Sequence, residues 1–360
     1  MKKFLTTTAA VGAAALSLAT TGCFKNESKT TVNADGSSKF SMVMELNLAP
    51  VMSMLGAGGG ANPLGDNHNL LVTMMRSMAP TVDAWTDAKV ETTKLGATKI
   101  TLSGFTRDFT ASGDLKKALA SNPAFASKAA DLPEFKAIQS TKDTATGNWI
   151  ITAPGVDEIM TLFTAIQKKA AEDKAFTPGS LKDVTEEAVA TKMTEARAQY
   201  AQFKPMAAMM LKDLAISSEM EVGGEILEAN VFKKTGPNKV TWTFSGEQLI
   251  DMVDGLIADD DLPKKVAKLA AALNEGPESV KVGPALREFI TPLISSLYGG
   301  ATAPKLVIKP SATPAFDYNA EVAKAKAAMS PALKKLVDEA SKPAAPADAG
   351  GLPAPKKKAA

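Results

Sequence analysis

Residues able to do chemistry are few and scattered in this chain. His68 is the lone histidine among 360 residues, set in Asp66-Asn67-His68-Asn69. A triad that relays a proton through imidazole must use it, and a metal site of several histidines is excluded. A weak metal site at His68 is one reading; a solvated loop beside the Gly-rich run is the favoured one. Asp259-Asp260-Asp261 concentrates charge that calcium would accept. It lacks the spaced ligands and closing glutamate of a calcium loop, so an interhelical turn with Pro263 opening the next helix is favoured. Gly58-Gly59-Gly60 has no Lys-Ser/Thr after it and reads as a linker, not a phosphate loop. There is no Gly-x-Ser-x-Gly elbow and no Ser-x-x-Lys pair. A glycosidase-type acid pair stays open, but with 39 acidic residues nothing singles out two of them. No cofactor and no metal site are expected, and the expectation is a protein that is not an enzyme.

Methionine is the other unusual feature. Met42, Met44, Met52, Met54, Met74, Met75 and Met78 cluster early, and Met206, Met209 and Met210 cluster again. Flexible thioethers suit adaptable apolar grooves and also bind soft copper ions. Core packing is the first reading. A lipid- or partner-binding groove lined by Met52, Met74 and Met78 is the second, and copper the third.

The remaining reactive residue is Cys23, the lone cysteine. Lys2 and Lys3 precede an apolar run from Phe4 to Ala19, which breaks at Thr20-Thr21-Gly22-Cys23. A positive start, a short apolar run and small residues at the cut read as an export signal over residues 1–22. A spanning helix would need about 20 apolar residues. The small residues before the cysteine resemble the lipobox of bacterial lipoproteins, with Thr20 where that family prefers leucine. The resemblance implies acylation of Cys23 and cleavage before it. It also implies retention away from the inner membrane, because Phe24 is not aspartate. The expected location is an exported, membrane-anchored lipoprotein, on the periplasmic face of the outer membrane if the cell has two membranes. Two or three acyl chains hold a protein far more firmly than one.

Without Lys2 and Lys3, the 41 basic side chains become 39, matching the 39 acidic ones. A chain so balanced has no general pull toward nucleic acid. With Cys23 acylated, no disulfide is available. The hydrophobic fraction of 45% suffices for a packed core.

Those residues need elements to position them. Phe40, Met42, Met44, Leu46 and Leu48 recur at a period of two after Asn33-Ala34-Asp35-Gly36, which predicts a hairpin over 25–48 with its even-numbered face buried. Its first strand is expected from Ser28, giving Cys23 a tether of about five residues, at most about 18 Å. A short helix is expected over 49–55, a Gly-rich loop over 56–69 and a helix over 70–78. A hairpin over 85–105 turns at Leu95-Gly96-Ala97. Strands at 99–104, 148–152 and 238–244 each feed a helix opened by a small residue and an acid. A long helix over 180–213 has Leu181, Val184, Ala188, Met193, Ala196 and Tyr200 on its apolar face, and Pro205 is expected to kink or split it. A strand over 214–222, helices over 266–273 and 286–297, and a strand over 305–309 follow. Asp317 caps a last helix, 319–340. Residues 341–360, rich in Pro, Ala and Lys, are expected to be disordered.

The resulting expectation is an α+β protein: antiparallel hairpins in a sheet, strand–helix units, a long helical insertion and a disordered tail. Its divisions are 1–22 signal, 23–175 membrane-proximal α+β region, 176–213 helical segment, 214–340 second α+β region and 341–360 tail. The anchor, the Asp-Gly hairpin at 18–48 and, more weakly, residues 219–250 resemble a loose set of bacterial envelope lipoproteins of the LppM-like type. The resemblance implies a location more than an activity. The expected role is non-enzymatic binding or scaffolding at the cell envelope, the membrane being contacted through Cys23 and the partner an envelope protein or lipid. A carrier of apolar ligands and an envelope hydrolase are the alternatives.

Overall fold

A computed structural model describes residues 24–46, 67–93, 97–111, 138–162, 164, 184–275 and 279–342. The chain is α+β. Its first hairpin pairs β1 (Phe24–Val32) with β2 (Ser38–Leu46), Phe24 opposite Leu46 and Val32 opposite Ser38. Gly36 takes φ +87° at the turn, a conformation costly for any residue with a Cβ. The Asp35 carboxylate accepts from the Ser37 amide at 2.9 Å and its hydroxyl at 2.6 Å, which closes the turn. The first strand starts at Phe24, not Ser28. Of the even positions of β1, which turn toward the protein, only Phe24 and Val32 at its ends are apolar; Asn26, Ser28 and Thr30 between them are polar, so no run of apolar alternation reveals the strand. The five-residue tether is therefore corrected: among the described residues the strand already includes Phe24, the residue after Cys23.

Around this hairpin grows a sheet of seven strands. It adds β3 (Ala84–Thr92), β4 (Thr98–Thr106), β7 (Ala215–Val222), β9 (Lys233–Lys234) and β10 (Lys239–Ser245), in the order β3-β4-β2-β1-β7-β10-β9. All neighbours are antiparallel except β1 and β7, which run parallel with Lys25 opposite Ala215. That one pair joins a strand near the start of the chain to one in its second half, across the division expected at 176–213. A second sheet, β5-β6-β11-β8, uses β5 (Gln139–Lys142), β6 (Trp149–Thr152), β8 (Gly224–Ala229) and β11 (Lys305–Pro310). The strands β5, β8 and β9 are short or polar and gave no usable periodicity.

Helices pack against β3, β4 and β10 of the larger sheet. α1 (Asn67–Met78) starts earlier than expected, so Asn67, His68 and Asn69 are helical and not part of a loop. Residues 156–162 form α2. α3 (Glu186–Leu211) is capped by Thr185 and runs unbroken through Pro205. Its half-buried stripe is Val189, Met193, Arg197, Tyr200, Phe203 and Ala207, ending at buried Leu211; Ala188 and Ala196, expected on that face, are exposed. α4 (Gly246–Ala258) opens with a capping box between Ser245 and Gln248. α5 (Leu262–Asn274) and α6 (Val282–Leu297) follow. The expected last helix is two: α7 (Tyr318–Ala328), capped by Asp317, and α8 (Pro331–Ala340), capped by Ser330. The residue before a proline disfavours helical geometry, which places the break at Ser330. The expectations for 49–55, the loop at 56–66, the turn at 94–96, the helix after 112 and the tail beyond 342 lie outside the described residues; Ser341 and Lys342, expected in the disordered tail, instead close α8, the Ser341 amide donating to the Val337 carbonyl and the Lys342 carbonyl accepting from Arg76.

Two cores result. Val32, Met220, Val222 and Val240 of the larger sheet meet Trp149, Ile151, Ile226, Leu306 and Ile308 of the smaller one. Ile100, Leu102, Trp85 and Ala88 are buried under Leu71 and Met75 of α1 and Leu333 of α8.

Candidate functional site

Ladder register places residues that are far apart in sequence on one face. Met42 stands opposite Ser28 and Leu102, and Met44 opposite Asn26 and Ile100. Asn26 and Ser28 stand opposite Ile216 and Ser218, which stand opposite Phe244 and Trp242. Alternation sends all these side chains to the same side. The face is filled at two margins, under the smaller sheet and under α1 with α8. Between those margins Met44, Leu46, Ile216, Trp242 and Phe244 are only half-buried. The row at 40–48 was expected to be buried. Phe40 and Met42 do pack against the core under α1, but Leu46 is half-covered, and Leu48 lies outside the described residues. On the opposite face Lys25, Glu27 and Lys29 are exposed, so the two sides of β1 differ in chemistry as well as cover.

The half-covered floor is apolar with a few polar points. Trp242 and Phe244, two apart on β10, stack with centroids 6.3 Å apart and planes 10° from parallel. Asn26 carries a buried side-chain carbonyl oxygen with no hydrogen-bond partner among the described residues. An unmet acceptor of that kind costs about 1–3 kcal/mol. The Ser28 hydroxyl reaches the Ser217 carbonyl at 3.5 Å. Beside the floor, α4 packs on β10, α3 and α6, and its Leu249, Ile250, Met252, Val253, Leu256 and Ile257 are all half-buried. Mostly apolar walls with a few polar groups are the usual make-up of a small-molecule site.

The residues singled out by type fall elsewhere. Cys23, Met52 and Gly58-Gly59-Gly60 lie outside the described residues. Met74 and Met78 are partly buried on α1, packed against the core that Leu333 and Trp85 share. His68 sits in the first turn of α1, Nε2 2.8 Å from a Glu339 carboxylate oxygen on α8. It is exposed, as expected, but helical and not in a loop, and it links two helices. Asp259-Asp260-Asp261 is the turn between α4 and α5. Asp259 pairs with Lys265 at 2.7 Å, which holds its carboxyl below the usual range, and Asp260 meets Arg197 at 3.1 Å. Among the described residues no three His, Cys, Asp or Glu side chains are grouped to hold a metal ion.

Two hollows are lined elsewhere. One of about 250 Å³ lies between Trp85–Ala88 of β3 and Met329, Leu333 and Leu336 around α8. The other, about 570 Å³ and shallow, lies at the rim by Glu221, Glu225, Asn238 and Lys309. Neither includes Met74 or Met78. What the sequence did not disclose is the union of β2, β7 and β10 on one floor. The period of two in each strand was visible, but not which strands are neighbours.

No family model matches the chain, and no curated protein does. Among solved structures it is similar to the NMR structure of the folded domain of LppM from Mycobacterium tuberculosis. The identity is 8% and the TM-score 0.26, over 62% of this chain and 83% of that one.

Proposed function

We propose that this chain is a lipid-anchored, non-enzymatic envelope protein that binds an apolar ligand of acyl-chain type on the half-covered floor of its larger sheet. The carrying observation is the incomplete cover over Met44, Leu46, Ile216, Trp242 and Phe244, on a face that is otherwise core. Those side chains gain roughly 25 cal/mol for each Å² that a ligand removes from water. The export signal and Cys23 support placement at the membrane, where acyl chains are the abundant apolar ligand.

Trp242 is the natural reporter. Fatty acids brominated along the chain quench indole on contact. The mature chain should lose part of its tryptophan emission when they are added, and Trp242→Phe should abolish most of that loss. Trp85 and Trp149 are buried in the two cores and serve as internal references. Absence of quenching, or equal quenching in Trp242→Phe, overturns binding on the floor. The anchor is tested separately: Cys23→Ala should abolish incorporation of labelled fatty acid and release the protein from membranes, and unchanged label would refute acylation at Cys23.

A further inference from the structure

α3 changes character along its outer side. Over its first four turns it exposes charge: Glu186, Glu187, Lys192 and Glu195. Over its last turns it exposes Ala201, Pro205, Met206, Ala208 and Met209, with Met206 37% and Met209 65% accessible. The one charge in that stretch, Lys204, reaches Asp254 of α4 at 2.6 Å. Together with Arg197 on Asp260, this contact aligns α3 antiparallel to α4, so the methionines lie on the side away from the bundle.

The position of this apolar end is fixed by backbone contacts. The Leu214 amide donates to the Leu211 carbonyl at 2.9 Å, and the Gly246 amide to the Leu214 carbonyl at 3.0 Å. Ala215 then pairs with Lys25, the second residue of β1. The apolar turns of α3 therefore end at the same edge of the sheet at which Phe24 enters it. Phe24 follows Cys23 directly.

We propose that the last two turns of α3 dock on the bilayer that holds the acylated Cys23, with Met206 and Met209 entering the boundary between headgroups and chains. This rests on the lipidation of Cys23. Two methionines would not hold a soluble protein on a membrane. The anchor changes that, because it makes docking an intramolecular event at high effective concentration. The stripe spans only about 11 Å, two helical turns. A stable protein interface needs about 800 Å² per partner. A bilayer sets no such minimum once the anchor is in place.

The test uses the mature acylated chain carrying Met209→Cys. Acylation blocks the thiol of Cys23, so the new cysteine alone takes an NBD label. The chain is reconstituted in phosphatidylcholine vesicles with and without lipid bearing a spin-label quencher near the headgroup. Glu187→Cys, at the charged end of α3, is the reference. Strong loss of NBD emission at position 209 and little at 187 is expected. If the chain is acylated by mass and bound to vesicles, yet 209 is unquenched, docking is overturned while lipidation stands. A blue shift at 209 that grows with protein concentration and ignores the quencher assigns the patch to a second copy and also overturns the proposal. A chain without acyl mass removes the premise and the proposal with it.

Discussion

Asn33 shows how much one side chain can hold together. It is buried at the tip of the first hairpin, and its amide nitrogen donates to the Ser37 hydroxyl at 3.0 Å and the Phe316 carbonyl at 3.1 Å. Its oxygen accepts from the Ala315 amide at 2.8 Å. Asn33→Ala should therefore cost about 2–4 kcal/mol, because it leaves several buried groups unmet; chemical denaturation measures this. Nearby, the Tyr318 hydroxyl donates to Asp83 at 2.6 Å, and burial followed by that hydrogen bond raises its pKa above the ordinary 10.0. The sign follows from the protonated form being favoured in the fold. Below pH 10 both states keep the proton and the stabilisation is complete. Above it the unfolded chain ionises first, so stability falls as pH rises toward the folded value. Tyr318→Phe should flatten this alkaline limb in melts taken across pH 9–11, at a cost of about 1 kcal/mol at neutral pH. Neither residue's role was legible in the sequence. Asn33 reads as a turn residue, and it is one, but contacts across 283 positions to Phe316 and, for Tyr318, 235 positions to Asp83 have no local signature.

At the scale of elements, legibility tracked apolar alternation. β2, β7 and β10 have it, and their ends can be read to within about two residues; β1 and β5 lack it, so the pattern places the start of β1 four residues late and gives no sign of β5. Helix caps were equally readable, since Ser245 and Asp317 act where their types suggest. Pro205 misled, because one proline can sit inside a long helix whose remaining hydrogen bonds and packing persist. The junction of α3 and α4 depends on a residue that looked unremarkable. A Cβ on Gly246 would overlap the backbone carbonyl of Leu211, whereas Gly255, nine residues further along α4, has open space around it. Gly255→Ala should then stabilise by about 0.5–1 kcal/mol through helix propensity. Gly246→Ala gains the same propensity but must push apart two backbones, and should lose about 1–3 kcal/mol on balance. Thermal melts of the two variants should move in opposite directions. Equal shifts would show that the helix junction yields without cost.

On the scale of the whole molecule, the fold is closed by its C-terminal helices rather than by a local domain. β1 and β7 unite the first and second halves of the chain in one sheet, and α8 then returns to cover what the early strands leave bare. Leu333 is buried with Leu71, Met75, Trp85 and Leu102, and Leu336 and Val337 pack beside it. Arg76, in the last turn of α1, donates to the Glu339 carbonyl at 3.3 Å and the Lys342 carbonyl at 3.1 Å. His68, at the other end of α1, meets the Glu339 carboxylate. Among the described residues the fastening reaches as far as Lys342, which sets where the chain can be shortened. A stop after Lys342 removes none of these contacts and should leave the melting temperature nearly unchanged. A stop after Met329 removes Leu333 and bares the face formed by Trp85, Ile100 and Leu102. Losing one buried leucine costs about 2–5 kcal/mol, against a total stability of about 5–15. In a domain of this size each kcal/mol moves the midpoint by about 2–4 °C. Loss of all of α8 should therefore lower the midpoint by on the order of 10 °C or more, or prevent folding, as read by circular dichroism on the two truncated chains. If both stops melt alike, α8 is an appendage, and the core under α1 must be stable without it.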